Sequence, residues 1–304
     1  MRAIAYDKHG GPEVLHAVEM PKPQAKKGEV VVRTIACTYN PVDVAFREGT
    51  YPVKLPLPTI PGCELSGIVE ELGEGVSGFK VGDAVIAELS SHQGASAQFA
   101  AVPADDLVMA PNSMDLADAA GVPLDSLTAW QGLYDFGKLK AGQRILIVGA
   151  GGTVGGFAVQ FAKLTGAYIV ATASGNDIER VKGLGADEVI DYKKENVVDV
   201  VKTPFDAVFD FSPAKPSLYY PVVKSDGILV TAHTPADGIR IDGNPRDIQA
   251  VFLAGKNDPA LLEKIVAMID RGEVALQISE RLTLDDIPAV HANPPHGGKC
   301  IFLV

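Results

Sequence analysis

The chain has 304 residues, 27 basic against 38 acidic side chains, a formal net charge of −11 and 47% hydrophobic residues. The acidic balance argues against nucleic acid or an anionic membrane surface as partner, since like charges repel. The length suits two domains with separate cores, and no run approaches the roughly 18 apolar residues of a membrane span.

Residues 1 to about 110 hold short segments of strand character, among them EVVVRTIAC (Glu29–Cys37) and LSGIVEEL (Leu65–Leu72). Gly10-Gly11-Pro12, Pro21, Pro23, Pro56, Pro58, Pro61-Gly62 and Gly82-Asp83 punctuate them. Short strands between frequent turns predict a β-rich, barrel-like unit. Three cysteines, Cys37, Cys63 and Cys300, cannot all pair and lack metal-type spacing, and MRAIAYDKHGG has no signal-peptide core. A reduced, cytoplasmic protein is expected.

The most informative stretch is RILIVGAGGTVGGFAVQFAK, Arg144 to Lys163. An apolar strand runs into a glycine turn, and a helical pattern through Val154, Ala158, Phe161 and Ala162 follows. That order builds a phosphate site: glycine lets the backbone approach a pyrophosphate, and the helix N-terminus offers N–H groups and a positive dipole end. Gly149, Gly152 and Gly155 give a GxxGxxG spacing, and with Thr153 and Val154 they are the expected cofactor contacts.

Beyond the turn, Ala167–Ser174, Glu188–Tyr192, Phe205–Phe211 and Gly227–His233 read as buried strands, with a helix over Ile178–Asp187. Ala250–Gly255 would make a sixth strand, before a helix bounded by Pro259 and Gly272. The expected fold is α/β, a doubly wound parallel sheet of Rossmann type inserted in a β-rich domain. The boundaries read as 1–112 plus 275–304 for the β-rich domain and 113–274 for the dinucleotide domain. An NAD enzyme usually carries an acid at the end of the second strand, whereas this strand ends Thr172-Ala173-Ser174-Gly175, then Asn176 and Asp177. Ser174 suits a 2′-phosphate or a helix N-cap, and Arg180 and Lys193 are the nearest cations in sequence.

Taken together, the N-terminal MRAIAYDKHGGPEVL, IPGCELSGIVEELGEGVSGFKVGDAVIA (Ile60–Ala87), LTAWQGL (Leu127–Leu133), the glycine turn and LGADEVIDYK (Leu184–Lys193) resemble the medium-chain dehydrogenase/reductase superfamily over essentially the whole chain. The resemblance runs closest to its zinc-independent quinone oxidoreductases, and it implies a GroES-like domain around the Rossmann unit. In the zinc alcohol dehydrogenases of that superfamily the metal ligands would fall on Asn40, Cys63 and Leu124, of which only Cys63 binds zinc well. No metal is therefore expected, and Cys63 reads as a small buried thiol.

The likeness further implies hydride transfer from NADPH to a quinone or an α,β-unsaturated carbonyl, with a 2-alkenal or enoyl reductase or a non-catalytic NADPH-binding redox sensor as alternatives. It places Asn40 and Tyr51 in the catalytic pocket, Asn40 as amide donor to the carbonyl oxygen and Tyr51 as wall or hydroxyl donor. It sets Thr128 beside the nicotinamide and Tyr192 near the cofactor, and it implies a homodimer joined near Ala250–Gly255. Asp43 is read as fixing the turn at Asn40-Pro41, Trp130 as core, and His92, His291 and His296 as surface residues.

Overall fold

Alternating β-branched residues and turn-forming Gly and Pro give the N-terminal region a run of short strands. In the computed structural model, which describes residues 1–232 and 248–304, these are β1 (Arg2–Ala5), β2 (His16–Glu19), β3 (Glu29–Thr38), β4 (Glu64–Leu72), β5 (Ala84–Glu88), β6 (Phe99–Pro103) and β7 (Leu107–Met109). Helix α1 (Pro41–Glu48) leaves β3 directly, and α2 (Leu116–Ala119) follows β7. β3 pairs antiparallel with β4 on one side and, through its first half, with β6 on the other. Val32, Leu65, Val69, Val85 and Ala87 close the core of this sheet.

Helix α3 (Pro123–Trp130) leads into the second unit, Asp125–Lys256. Its strands are β8 (Arg144–Val148), β9 (Tyr168–Ala173), β10 (Glu188–Asp191), β11 (Phe205–Asp210), β12 (Val223–Thr231) and β13 (Gln249–Phe252), joined among others by α4 (Thr153–Thr165), α5 (Asp177–Gly183) and α6 (Val197–Val200). Every pairing among them is parallel, in the order β10-β9-β8-β11-β12-β13. Numbered along the sheet's own sequence, that is 3-2-1-4-5-6, the doubly wound order whose reversal lies between β8 and β11. The expected sixth strand is there as β13. The expected strand Gly227–His233 begins earlier, at Val223, and its last residue, His233, lies outside the described residues.

The chain then returns to the first unit with α7 (Pro259–Asp270), β14 (Ile278–Thr283), α8 (Ile287–Ala292) and β15 (Lys299–Leu303). β15 pairs antiparallel with the end of β3 and parallel with β14, completing the sheet β14-β15-β3-β4-β5-β7 with β6 beside β3. The fold is the expected one, a Rossmann sheet inserted in a β-rich domain. The unit boundaries fall after Leu124 and Lys256 rather than after 112 and 274. Hydrogen bonds account for the difference. Asn257 Nδ2 donates to the Glu88 carbonyl at 3.0 Å and to Asp106 Oδ1 at 2.9 Å, and Ser113 N donates to Asp270 Oδ1 at 2.9 Å. These bonds fasten α7 to the β-rich unit, although its apolar periodicity resembles that of a Rossmann helix. Among the described residues no helix is long and apolar enough to cross a membrane.

Candidate active site

The glycine turn sits at the carboxyl end of β8, beside the point where the strand order reverses. Gly149 has φ +79°, a conformation that favours glycine. Its N–H donates to Thr172 Oγ1 at 3.1 Å, and Ala150 N donates to the Thr172 carbonyl at 3.2 Å, which pins the turn to β9. A Cβ on Gly155 would stand 2.3 Å from the Gly149 carbonyl oxygen, so this glycine lets α4 pack against the turn. A Cβ on Gly152 would meet only the Gly149 oxygen, at 3.5 Å, and would otherwise project into open space before the helix N-terminus. One glycine turns the chain, one leaves a cradle and one permits packing, which is the division of labour a pyrophosphate site needs. Thr153 and Val154 open α4, where the first-turn N–H groups have no intrahelical acceptor. The residues present therefore fit a dinucleotide. Thr172, which locks the turn, went unnoticed in the sequence because a threonine in a buried strand carries no distinctive pattern.

Ser174 follows β9 and Tyr192 follows β10, and Tyr192 N donates to the Ala173 carbonyl at 3.3 Å, so both stand at the same carboxyl end as the turn. Ser174 is not the N-cap of α5; that position belongs to Asn176, because Gly175 (φ +58°) swings the chain outward first. Arg180, on α5, points back: Nη2 donates to the Gly151 carbonyl at 2.6 Å and to Asp177 Oδ1 at 2.8 Å. Thr128 lies apart from these residues in sequence, in α3, with its Oγ1 3.9 Å from where a Cβ on Gly255 would stand.

In the β-rich unit, Asn40 precedes the first turn of α1 and is buried. Its backbone N–H donates to Asp43 Oδ2 at 3.1 Å, the role in the turn expected of Asp43. Its side chain faces inward. Nδ2 donates to Thr38 Oγ1 at 3.1 Å and to Glu64 Oε1 at 3.2 Å, while Oδ1 accepts from Lys299 Nζ at 2.6 Å. Lys299 Nζ also stands 2.6 Å from Glu64 Oε1, both side chains being at most 2% exposed. Glu64 accepts further from Thr38 Oγ1 at 2.6 Å and, through Oε2, from Leu124 N at 2.8 Å. The lysine ammonium, which can only donate, fixes which amide atom is oxygen. Both amide hydrogens of Asn40 are thereby engaged, and the expected donor to a substrate carbonyl becomes a member of a closed polar cluster. Glu64 and Lys299 went unsuspected. The signal for Lys299 was a lone lysine in the apolar strand GKCIFLV.

The positions that match zinc ligands offer a metal little. The Asn40 amide is bound as described, the Cys63 thiol donates to Asp43 Oδ1 at 3.0 Å, and a leucine occupies 124. Burial, with the carboxylate of Asp43 next, pushes the Cys63 thiol well above its ordinary value and keeps it protonated. This donor set does not fit a zinc ion.

Tyr51 lies beyond the other end of α1, so α1 separates it from Asn40. Its ring packs on Phe46 at 4.3 Å between centroids and on His92 at 6.5 Å. His92, expected at the surface, is instead half-buried and stacks on Phe46 at 5.5 Å, and burial lowers its pKa. His291 corrects the same expectation: it is buried, its Nδ1 lies 3.0 Å from Arg47 Nη1, and burial followed by the guanidinium lowers its pKa to about 4. His296 is exposed as expected. Trp130 is part-buried, with its ring 4.5 Å from Tyr134 and 5.2 Å from Phe161 between centroids.

Residues 26–112 match the family described as alcohol dehydrogenase GroES-like domain, and residues 184–298 the family described as zinc-binding dehydrogenase. A chloroplast envelope quinone oxidoreductase homolog of Arabidopsis thaliana is 38% identical over 244 residues, which are 76% of this chain and 74% of that one. The chain belongs to the quinone oxidoreductase-like branch of the medium-chain dehydrogenase/reductase superfamily. A chloroplastic quinone-oxidoreductase homolog of Spinacia oleracea is 41% identical over 64% of this chain and 61% of its own length. The NADPH-dependent alkenal/one oxidoreductase of Arabidopsis chloroplasts is 38% identical over 69% of this chain and 57% of its own length. In both cases the match spans less than two thirds of the relative. Among solved structures, a quinone oxidoreductase from Coxiella burnetii superposes with a TM-score of 0.91 at 27% identity, covering 100% of this chain and 99% of that one.

Proposed function

We propose that the chain is an NADPH-dependent oxidoreductase that passes hydride to a quinone or an α,β-unsaturated carbonyl without zinc. The observation that carries this reading is the glycine turn of β8 and α4, with an open cradle at Gly152 in a sheet of 3-2-1-4-5-6 order. The bound nicotinamide would supply the hydride. Gly149, Gly152, Thr153, Val154 and Gly155 would hold the pyrophosphate, Ser174 and Tyr192 would contact the adenosine ribose, and Thr128 would stand beside the nicotinamide. Tyr51 would donate its hydroxyl proton in a hydrogen bond to the acceptor carbonyl as charge develops there, and the part-exposed rings of Tyr51 and His92, backed by buried Phe46, suit a flat, electron-poor ring. Asn40 acts as a positioning residue, since its amide is committed to Glu64, Thr38 and Lys299.

The polar, metal-poor donor set around Cys63 favours acceptors that delocalise charge onto oxygen over simple alcohols, whose alkoxides need a Lewis acid. A homodimer paired through β13, which ends the sheet among the described residues and whose Phe252 is exposed, completes the reading. Three free, buried thiols suit a reducing compartment, the cytoplasm in our reading. Purified protein with no metal added should oxidise NADPH with benzoquinone or naphthoquinone derivatives. Protein that binds NADPH yet turns over none of a panel of quinones and enones would sink the enzymatic reading and leave the redox sensor. The resemblance to the alkenal/one oxidoreductase supports an alternative acceptor, and specificity constants for alkenals against quinones decide between them.

A further inference from the structure

In the sequence, the end of β9 carries no acid to receive a ribose 2′-hydroxyl before Asp177, and no cation stands at 176 or 177 to receive a 2′-phosphate. The fold brings a cation to that place from one turn further along. Arg180 reaches back from α5 to the glycine turn, where Nη2 donates to the Gly151 carbonyl and to Asp177 Oδ1, and Nε donates to the same Asp177 oxygen at 3.3 Å. The other carboxylate oxygen of Asp177 lies against the turn, 2.9 Å from where a Cβ on Gly151 would stand. One edge of the guanidinium is thus spent on Asp177 and the turn. The remaining nitrogen, Nη1, is buried and has no hydrogen-bond partner in the protein. The side chain as a whole is partly exposed, and a guanidinium held by one edge beside the turn, six positions after Ser174 and with a nitrogen left unpaired, retains a charge-assisted bond to offer an anion.

We propose that Arg180 recognises the 2′-phosphate of NADPH, and that Asp177 is a positioning residue which aims the guanidinium while its own charge limits the preference for NADPH over NADH. This rests on the reading of the unit as a nicotinamide dinucleotide site. A doubly charged phosphate gains a charge-assisted bond from Arg180 and meets like-charge repulsion from Asp177. NADH, with a neutral 2′-hydroxyl, experiences little of either.

The test is equilibrium titration of the full chain with NADPH and with NADH, followed by nucleotide fluorescence, for the wild type and the variants Arg180→Gln, Arg180→Lys and Asp177→Asn. Arg180→Gln should raise the Kd for NADPH about tenfold to a hundredfold and that for NADH by less than about threefold. Arg180→Lys should recover part of the loss, because the charge stays while the fork is gone. Asp177→Asn should move the NADPH-to-NADH ratio the opposite way, toward NADPH. Equal weakening of both nucleotides by Arg180→Gln would overturn the proposal and make Arg180 a brace of the Gly151 turn; an unchanged ratio would overturn it as well. Thermal melts establish that each variant is folded, and if Arg180→Gln is not, the ratios in Arg180→Lys and Asp177→Asn decide. A wild type that binds neither nucleotide would instead refute the dinucleotide reading itself.

Discussion

The two candidate regions are built on opposite plans. The glycine turn of the Rossmann unit is made of backbone. It is contiguous in sequence, open at Gly152, and held from behind by Thr172. The cluster around Asn40 in the β-rich unit is made of side chains drawn from Thr38, Asn40, Glu64 and Lys299, and it is closed to solvent. A site that must admit a ligand leaves its donors unpaired, whereas a site that must hold a loop in place pairs every one of them.

This contrast predicts where damage shows. The largest effect should come from Lys299→Met, which strands Glu64 in the interior without its counter-ion. Breaking a buried pair from one side costs about 3–5 kcal/mol, so denaturant unfolding should show a destabilised protein, and unchanged stability would mean the pair contributes nothing. Gly152→Val should act in the reverse manner. Affinity for nucleotide falls on the order of a hundredfold while the melting temperature stays near that of the wild type, because the new side chain enters the cradle and meets no protein wall. A variant that binds as well as the wild type would remove this turn from the phosphate site.

The same contrast applies within the β-rich unit. Tyr51→Phe should lower kcat/KM for a quinone about tenfold to a hundredfold at unchanged stability, as expected for a lost donor to a developing oxyanion. Asn40→Ala should do the opposite, lowering stability by about 1–3 kcal/mol through the partners it leaves unpaired, with a smaller kinetic change. Kinetics and melting measured on both variants test the assignment, and a kinetic loss confined to Asn40→Ala would restore it as the donor.

The smallest effect concerns pH. Burial, against the pull of the Cys63 thiol, the Lys299 ammonium and the Asn40 N–H, raises Asp43 from 3.8 to about 6. The folded state therefore holds a proton between pH 6 and about 4 that the unfolded chain releases, and this residue adds stability as the pH falls through 6. His291, lowered from 6.5 to about 4, works against it: the unfolded chain takes up a proton first, so stability is lost as the pH falls from 6.5 to 4. The two offset each other in the wild type. Asp43→Asn removes one side, and between pH 6.5 and 4.5 it should lose about 2 kcal/mol more stability than the wild type, read from denaturation midpoints. Identical slopes would show that Asp43 does not hold its proton in the fold.

How much could be read in advance follows from the same division. Strand, turn and helix around Gly149, Gly152 and Gly155 were legible because each rests on neighbours a few residues away. The run of buried strands after it pointed to the parallel sheet for the same reason. The placement of α7 was not legible, since an apolar helical stripe does not name the surface it covers, and Asn257 and Ser113 decided it. Of the three histidines expected at the surface, His92 and His291 lie inside, and nothing around His291 in sequence reveals the Arg47 guanidinium, 244 positions away, that packs against it.

By itself, then, the sequence determined the order of elements, the glycine turn and the family, all of which depend on local periodicity, glycine conformations and contiguous motifs. Only the tertiary structure decided that Asn40 is tied to Lys299 across 259 positions, and that Arg180 turns back to Gly151 across 29. Those choices depend on which polar groups lose water together when the sheets close. A buried charge takes whatever partner the fold brings within reach, and no local pattern records which one that is.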